Sequence, residues 1–174
     1  MPSDNSVRHL DPGPALWSYA ELILVACPKC GGRATNLRRP GLPAARYWNQ
    51  YYYEPRRLIC DRCGAVADWS SEHNGSRQPG ARQDPHFGLP LWLQTRCCGR
   101  VLWAYNAAQV DELSAYVSAL LRERSRRNSS ISLVSQMPLW MKRADNRAEV
   151  SAGLARLRTL AGRSEPADRS DAAY

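Results

Sequence analysis

Six cysteines carry most of the chemistry this sequence can offer. Four of them fall into two matching frames, Cys27-Pro28-Lys29-Cys30-Gly31 and Cys60-Asp61-Arg62-Cys63-Gly64. Two thiolates separated by two residues form a bidentate claw for a tetrahedral ion. The glycine that follows lets the backbone turn with positive φ and aim its N–H groups at the sulfurs. Two such claws facing each other bring four sulfurs to about 2.3 Å from a zinc ion. The 29 residues between Cys30 and Cys60 exceed the common spacing of roughly 15–20, but closure entropy grows only slowly with loop length. One structural Zn²⁺ on Cys27, Cys30, Cys60 and Cys63 is therefore expected, with iron as the competing ion. Two unrelated thiol pairs and a redox dithiol are the other readings; the latter would need a single pair opening a helix. Four protein thiolates leave no coordination position for water or substrate, so no catalytic metal is expected.

The other two cysteines, Cys97 and Cys98, are adjacent. Neighbouring side chains on an extended backbone point apart, so a shared ion is not expected. Arg96-Cys97-Cys98-Gly99 reads as a hairpin turn carrying structural thiols, with an alternative metal ligand or a reactive thiol as lesser readings. His9, His73 and His86 fall in loops and are expected at the surface. No nucleophile constellation surrounds them. The chain is read as non-enzymatic, with a Cys97 or Cys98 thiol activity as the residual enzymatic class.

Between the claws lies a basic, aromatic stretch. Arg33, Arg38, Arg39, Arg46, Tyr47, Trp48, Tyr52, Arg56 and Arg57 are the candidate nucleic-acid contacts, because arginines for phosphate interleaved with rings for stacking suit single strands. The competing reading packs Tyr47, Trp48 and some of Tyr51 to Tyr53 over the sheet as a substitute core. A second basic set, Arg122, Arg124, Arg126, Arg127, Lys142, Arg143 and Arg147, lies in the C-terminal part. It fits a solvated face of packed helices better than a DNA-reading helix pair, because the apolar stripes there need burial.

Composition agrees with a metal-stapled front half. The chain of 174 residues has one Phe against six Trp and eight Tyr, so much aromatic surface carries a polar handle. Large aliphatic residues are scarce before residue 70, and a small module with little core needs a staple. The formal charge of +8 concentrates in residues 27–70 and 109–161. Nearly all cations are Arg, which suits bidentate phosphate contact but also follows from GC-rich coding sequence. No run approaches the roughly 18 apolar residues of a membrane span, and Leu22 to Cys27 is too short for a signal-peptide core. A cytoplasmic protein is expected, where thiols stay reduced and metal binding is the default for clustered cysteines.

The elements that must position the cysteines follow from the pattern. Leu22–Ala26, Arg33–Leu37, Arg57–Cys60 and Ala65–Trp69 read as strands flanking the two claws, and residues 38–55 as a long irregular connection. Leu89–Thr95 and Arg100–Tyr105 read as a hairpin. Asn106 is placed to cap a helix of about four turns with Val110, Leu113, Tyr116, Val117, Leu120 and Leu121 on one face, closed by Arg122 to Arg127. A short helix follows Pro138. A last helix, capped by Asp145 or Asn146, carries Val150, Leu154, Leu157 and Leu160. The expected organisation is a loose arm at 1–15, a zinc ribbon at 16–70 and a polar linker at 71–87. A β-hairpin and helical module at 88–161 and a disordered tail at 162–174 complete it. The fold class is α+β: an N-terminal antiparallel zinc ribbon, then a β-hairpin followed by about three helices.

On the two claw motifs the chain resembles a zinc ribbon of the transcription-factor-IIB type. The stretch from Pro90-Leu-Trp-Leu-Gln94 to Cys98-Gly99, then Leu102-Trp-Ala-Tyr-Asn106 and the helix after it, is similar to small uncharacterised bacterial zinc-ribbon-containing proteins. Together these cover roughly residues 22–160. The resemblance implies a fold and a zinc site, not an activity. The function expected is a zinc-stabilised accessory protein that binds nucleic acid or works beside transcription. The rival is a protein-docking adapter using Trp92, Trp103 and Trp140 or the helical stripe. No membrane partner is expected.

Overall fold

The computed structural model describes residues 8–11, 14–47, 49–75, 82–119, 121–124 and 132–165. Its strands are β1 (Arg8–Asp11), β2 (Leu22–Ala26), β3 (Arg33–Arg38), β4 (Arg56–Ile59), β5 (Val66–Trp69), β6 (Leu93–Cys97), β7 (Arg100–Ala104) and β8 (Leu121–Arg124). The helices are α1 (Gln50–Tyr53), α2 (Ser71–Asn74), α3 (Ala107–Ser118), α4 (Leu133–Gln136), α5 (Leu139–Lys142) and α6 (Arg147–Ala161), with 3₁₀ turns at Leu16–Tyr19 and Ala144–Asn146. The α+β class is as the sequence led one to expect. A four-stranded antiparallel sheet, β2-β3-β4-β5, leads the chain, and the β6-β7 hairpin follows.

Register places the cysteines. Ala26 pairs with Arg33 and Ile59 with Val66, so each claw closes its own hairpin at the same end of the sheet. Thr35 opposite Ile59 aligns the two hairpins through β3 and β4. The outer edge of β2 is not left open. The Leu24 N–H donates to the Tyr105 carbonyl at 2.8 Å, the Ala26 N–H to Pro90 at 2.9 Å, and the Trp92 N–H to Leu24 at 2.9 Å. Covering that edge removes a row of unpaired backbone groups. It also explains why Ile23, Leu24 and Val25 are buried in succession rather than in alternation.

The sheet and the second hairpin share one core, with Leu58, Leu91, Trp92, Leu102, Val110 and Leu154 among its members. Helix α6 buries the expected stripe of Val150, Leu154, Leu157 and Leu160, and α3 buries Val110, Leu113 and Val117. Each such side chain contributes roughly 1.5–3 kcal/mol on leaving water. Gly153 lets α6 come close to the hairpin: a Cβ there would lie 2.9 Å from Leu102 Cδ2 and 3.3 Å from Cys97 Sγ. The indole N–H of Trp92 ties the far end of α6 by donating to the Leu160 carbonyl at 2.9 Å.

Several local expectations are corrected. Helix α3 stops at Ser118, because Ala119 turns extended (φ −63°, ψ 133°). Leu121–Arg124 then pairs in parallel with Arg8–Asp11, satisfying backbone groups of both segments. Part of the arm at 1–15 is therefore a strand, and Pro14 accepts from the Leu133 N–H at 2.7 Å. Arg126, Arg127 and residues 166–174 of the expected tail lie outside the described residues. The start of that tail docks, since the Arg33 N–H donates to the Ser164 carbonyl at 2.9 Å. Residues 38–55 contain the single turn α1, and residues 71–87 contain α2 and, further on, buried Asp84 and His86. Asn106 caps α3 as expected, accepting from the Gln109 N–H at 3.0 Å. Asn146 does not cap α6; its amide donates instead to the Trp140 carbonyl at 2.8 Å. Among the described residues no helix is long and apolar enough to cross a membrane.

Candidate metal centre

The two claws meet. Sγ atoms of Cys27, Cys30, Cys60 and Cys63 all lie within 4.8 Å of one another. Cys27 to Cys63 measures 3.7 Å and Cys30 to Cys60 3.6 Å. A regular tetrahedron with metal–sulfur bonds of about 2.3 Å has edges of about 3.8 Å, so these two edges already have the length one ion would require. Gly31 and Gly64 hold φ of 69° and 68°, the left-handed region that each turn needs and that glycine adopts without steric cost. The turns repeat each other in detail. The Gly31 N–H donates to the Cys27 carbonyl and the Gly64 N–H to the Cys60 carbonyl, both at 2.9 Å. The Lys29 N–H points at Cys27 Sγ, 3.4 Å away. Cys27 and Cys60 are buried and Cys63 faces solvent. A hydrogen bond from Gly32, joined by the neighbouring sulfurs, pulls the Cys30 thiol down to about 7 against its desolvation. Cys63 is pushed up to about 11: the hydrogen bond from Ala65 opposes the rise, but desolvation and the three other sulfurs outweigh it. Four sulfurs in this arrangement can hold one metal ion.

The nine candidate nucleic-acid contacts divide. Arg56 is fully buried and is withdrawn from that role. Its Nε donates to Asn36 Oδ1 at 2.9 Å, and its Nη2 to the carbonyls of Ala20 (2.7 Å), Glu21 (3.1 Å) and Asn36 (3.2 Å). Burial pulls its guanidinium down to about 10, so it keeps its charge at neutral pH. Tyr52 is also buried, with its ring edge-on to Trp17 at 6.0 Å. This is the packing role that competed with stacking on bases. Arg38 forms a two-pronged pair with Glu54 (2.6 and 2.9 Å), and Arg57 does the same with Asp68 (2.8 and 3.1 Å). Arg33 Nη1 donates to the Ala161 carbonyl at the end of α6, where the helix dipole favours a cation. Arg39, Arg46 and Tyr47 remain exposed, Tyr47 by 69%. Trp48 lies outside the described residues.

Behind Arg56 stands a polar cluster that the sequence did not reveal. Asn36 Nδ2 reaches Asp84 Oδ1 at 3.0 Å and His86 Nδ1 at 2.9 Å. Asp84 also accepts from the N–H groups of His86 (3.0 Å), Phe87 (2.8 Å) and Leu89 (2.7 Å). Desolvation raises the Asp84 carboxyl against those hydrogen bonds. His86, expected at the surface, is fully buried against Trp69, because Asp84 folds the loop inward. The Asp84-Pro85 pair was the available signal, since such pairs initiate turns. Nothing local marks Asn36 as its partner, 48 residues away.

Cys97 and Cys98 also depart from expectation. Cys97 pairs with Arg100 across the hairpin, leaving Cys98 and Gly99 as a two-residue turn with φ of 51° and 68°. Both positive angles define a type I′ turn, for which Asn-Gly is the favoured pair. For a residue with a Cβ the left-handed region costs roughly 1–2 kcal/mol. Because the backbone is not extended at Cys98, the two thiols do not point apart; their sulfurs are 3.8 Å apart. Desolvation pushes Cys97 up to about 12, reinforced by Cys98 and Glu149, and Cys98 is raised as well. Neither thiol has the depressed pKa that marks a nucleophile.

Comparison with protein families, curated proteins and solved structures finds no match to this chain. Fold and site together define the class: an α+β chain whose leading antiparallel sheet presents four convergent cysteine sulfurs from two hairpin turns.

Proposed function

We propose that this chain is a zinc-stabilised, non-enzymatic protein of zinc-ribbon type that binds nucleic acid. The observation that carries the zinc reading is the set of four cysteine sulfurs within 4.8 Å of one another, two of their separations at the tetrahedral edge length. All four corners come from protein thiolates, so the ion is structural, with no open position for chemistry. Its binding energy becomes folding energy for the sheet whose two hairpin turns it joins. In the purified reduced protein, elemental analysis is expected to find zinc rather than iron. Stripping it with a strong chelator is expected to abolish the protection of amides in β2–β5. A metal-free protein that keeps those amides protected would overturn the reading.

The nucleic-acid reading rests on Arg39, Arg46 and Tyr47, exposed together on the connection between β3 and α1. Two phosphate contacts on a single strand predict a log–log salt slope of about −1.4. Affinity for a single-stranded oligonucleotide should follow that slope, and the Arg39→Ala/Arg46→Ala double variant should lose it. Absence of binding at low salt, or a slope unchanged in the double variant, refutes this reading. A protein-docking reading is favoured by a different feature. A cavity of about 240 Å³ lies beside β7 and the short helices, lined by Trp103, Leu133, Met137 and Trp140. Loss of partner capture in a Trp103→Ala variant, with nucleic-acid binding absent, would select it.

A further inference from the structure

We infer that Cys97, Cys98 and Glu149 form a second metal-ion site, one that takes a thiophilic divalent cation such as Zn²⁺ through two sulfurs and a carboxylate oxygen. Their ligand atoms all lie within 4.8 Å of one another. The 3.8 Å between the two sulfurs matches the spacings in the four-cysteine centre and is the bite of a chelating pair on a tetrahedral ion.

Three independent features of the fold assemble this trio. The first is the turn. A type I′ hairpin calls for Asn, Asp or Gly at its first central position, and a cysteine stands there at φ 51°. That conformation swings the Cys98 sulfur to the same side as Cys97; an extended backbone would separate them. A backbone outlier at a chemically capable side chain is a recognised pointer to function. The second feature is the close approach of α6. Gly153 brings the helix against Cys97, and Glu149, one turn earlier, reaches the turn, where its Oε1 accepts from the Cys98 N–H. The third is charge. Two thiolates and a carboxylate around a divalent ion sum to one negative charge. Arg156 flanks Cys97, anchored to the Arg96 carbonyl at 2.8 Å and to Thr95 Oγ1 at 3.1 Å. Its guanidinium supplies the compensating positive charge.

The site differs in kind from the four-cysteine centre. Cys97 is buried, Cys98 half-buried and Glu149 exposed, so one side opens to solvent. Three protein donors leave a fourth position for water or an exogenous ligand. Binding the ion displaces the two thiol protons, two per divalent cation, so uptake strengthens as pH rises.

The test is a count. Full-length protein, held reduced and equilibrated with excess Zn²⁺ before gel filtration, is expected to retain two zinc ions per chain. Cys98→Asn is the informative variant, because asparagine suits the type I′ turn and preserves the hairpin while removing one donor. It should retain one fewer ion than the wild type, with an unchanged far-ultraviolet circular dichroism spectrum. Glu149→Gln should weaken the second site about tenfold in competition with a colorimetric chelator. The count also separates this inference from the zinc reading of the first centre. Two ions falling to one supports both; one falling to none supports the second site alone. Equal counts in wild type and Cys98→Asn overturn the inference. So does a disulfide localised to Cys97–Cys98 by peptide mapping under the same reducing conditions.

Discussion

Acidification tests the buried polar cluster around His86. The His86 ring is held by two contacts that fix its tautomer. Nε2 lies 2.8 Å from the Tyr51 carbonyl, which can only accept, so Nε2 carries the proton. Nδ1 then accepts from the Asn36 amide at 2.9 Å. A second proton has no place on that nitrogen. Burial, with the Arg56 charge behind it, drives the folded-state pKa from 6.5 down to about 3. Asp84 Oδ1, 3.7 Å from Nδ1, would favour a charged ring, but it already accepts from Asn36 and from the N–H groups of His86 and Phe87, while Oδ2 accepts from the Leu89 N–H. The folded pKa is thus below the unfolded one, and the unfolded chain binds more protons between the two values. The His86 contribution is complete above pH 6.5 and is lost as pH falls, at about 1.4 kcal/mol per unit. Between pH 7 and pH 5 the loss is about 2 kcal/mol. Protons also compete with metal for thiolates, so the measurement is a difference. Urea unfolding of wild type and His86→Gln at both pH values, with zinc saturating, should show the wild type losing about 2 kcal/mol more than the variant. A difference below about 0.5 kcal/mol, or a folded-state His86 resonance that titrates above pH 5, would refute the reasoning.

Two further substitutions check neighbouring parts of the argument. Arg56→Met should cost about 3–5 kcal/mol in denaturant unfolding, because it leaves Asp84 without its nearby charge and several carbonyls without a donor. Its effect on oligonucleotide affinity in the folded fraction should be nil, in contrast with Arg39→Ala. Asn106→Ala removes the α3 cap and two donated hydrogen bonds, to the carbonyls of Tyr19 and Leu22 at 2.8 Å each. A cap is worth about 1 kcal/mol and each further bond about as much. A loss of about 2–3 kcal/mol by thermal or urea unfolding is therefore expected.

The sequence by itself determined what local chemistry determines. Two residues between cysteines and a glycine after them fix the shape of each claw. Apolar runs and flanking turns located β2 to β7 to within a few residues. A period near 3.6 found the buried stripes of α3 and α6, and Asn106 announced the cap it forms.

What the tertiary structure decided were contacts between positions far apart in the chain, for which no local pattern exists. Arg56 reads as a cation for phosphate because an arginine among aromatics usually faces water. It is buried because Ala20, Asn36 and Asp84 arrive from three other segments to satisfy it. His86 follows Asp84 inward for the same reason. Helix α3 ends early because the backbone of 121–124 finds a partner in 8–11, more than a hundred residues away. Cys97 and Cys98 look divergent as long as the strand is taken to be extended, and one left-handed residue turns them into a pair. Glu149 joins them only because Gly153 lets α6 lie against the hairpin. Donor spacing within a turn is covalent and therefore written in the sequence. Donor spacing between turns is set by packing, and only the folded chain contains it.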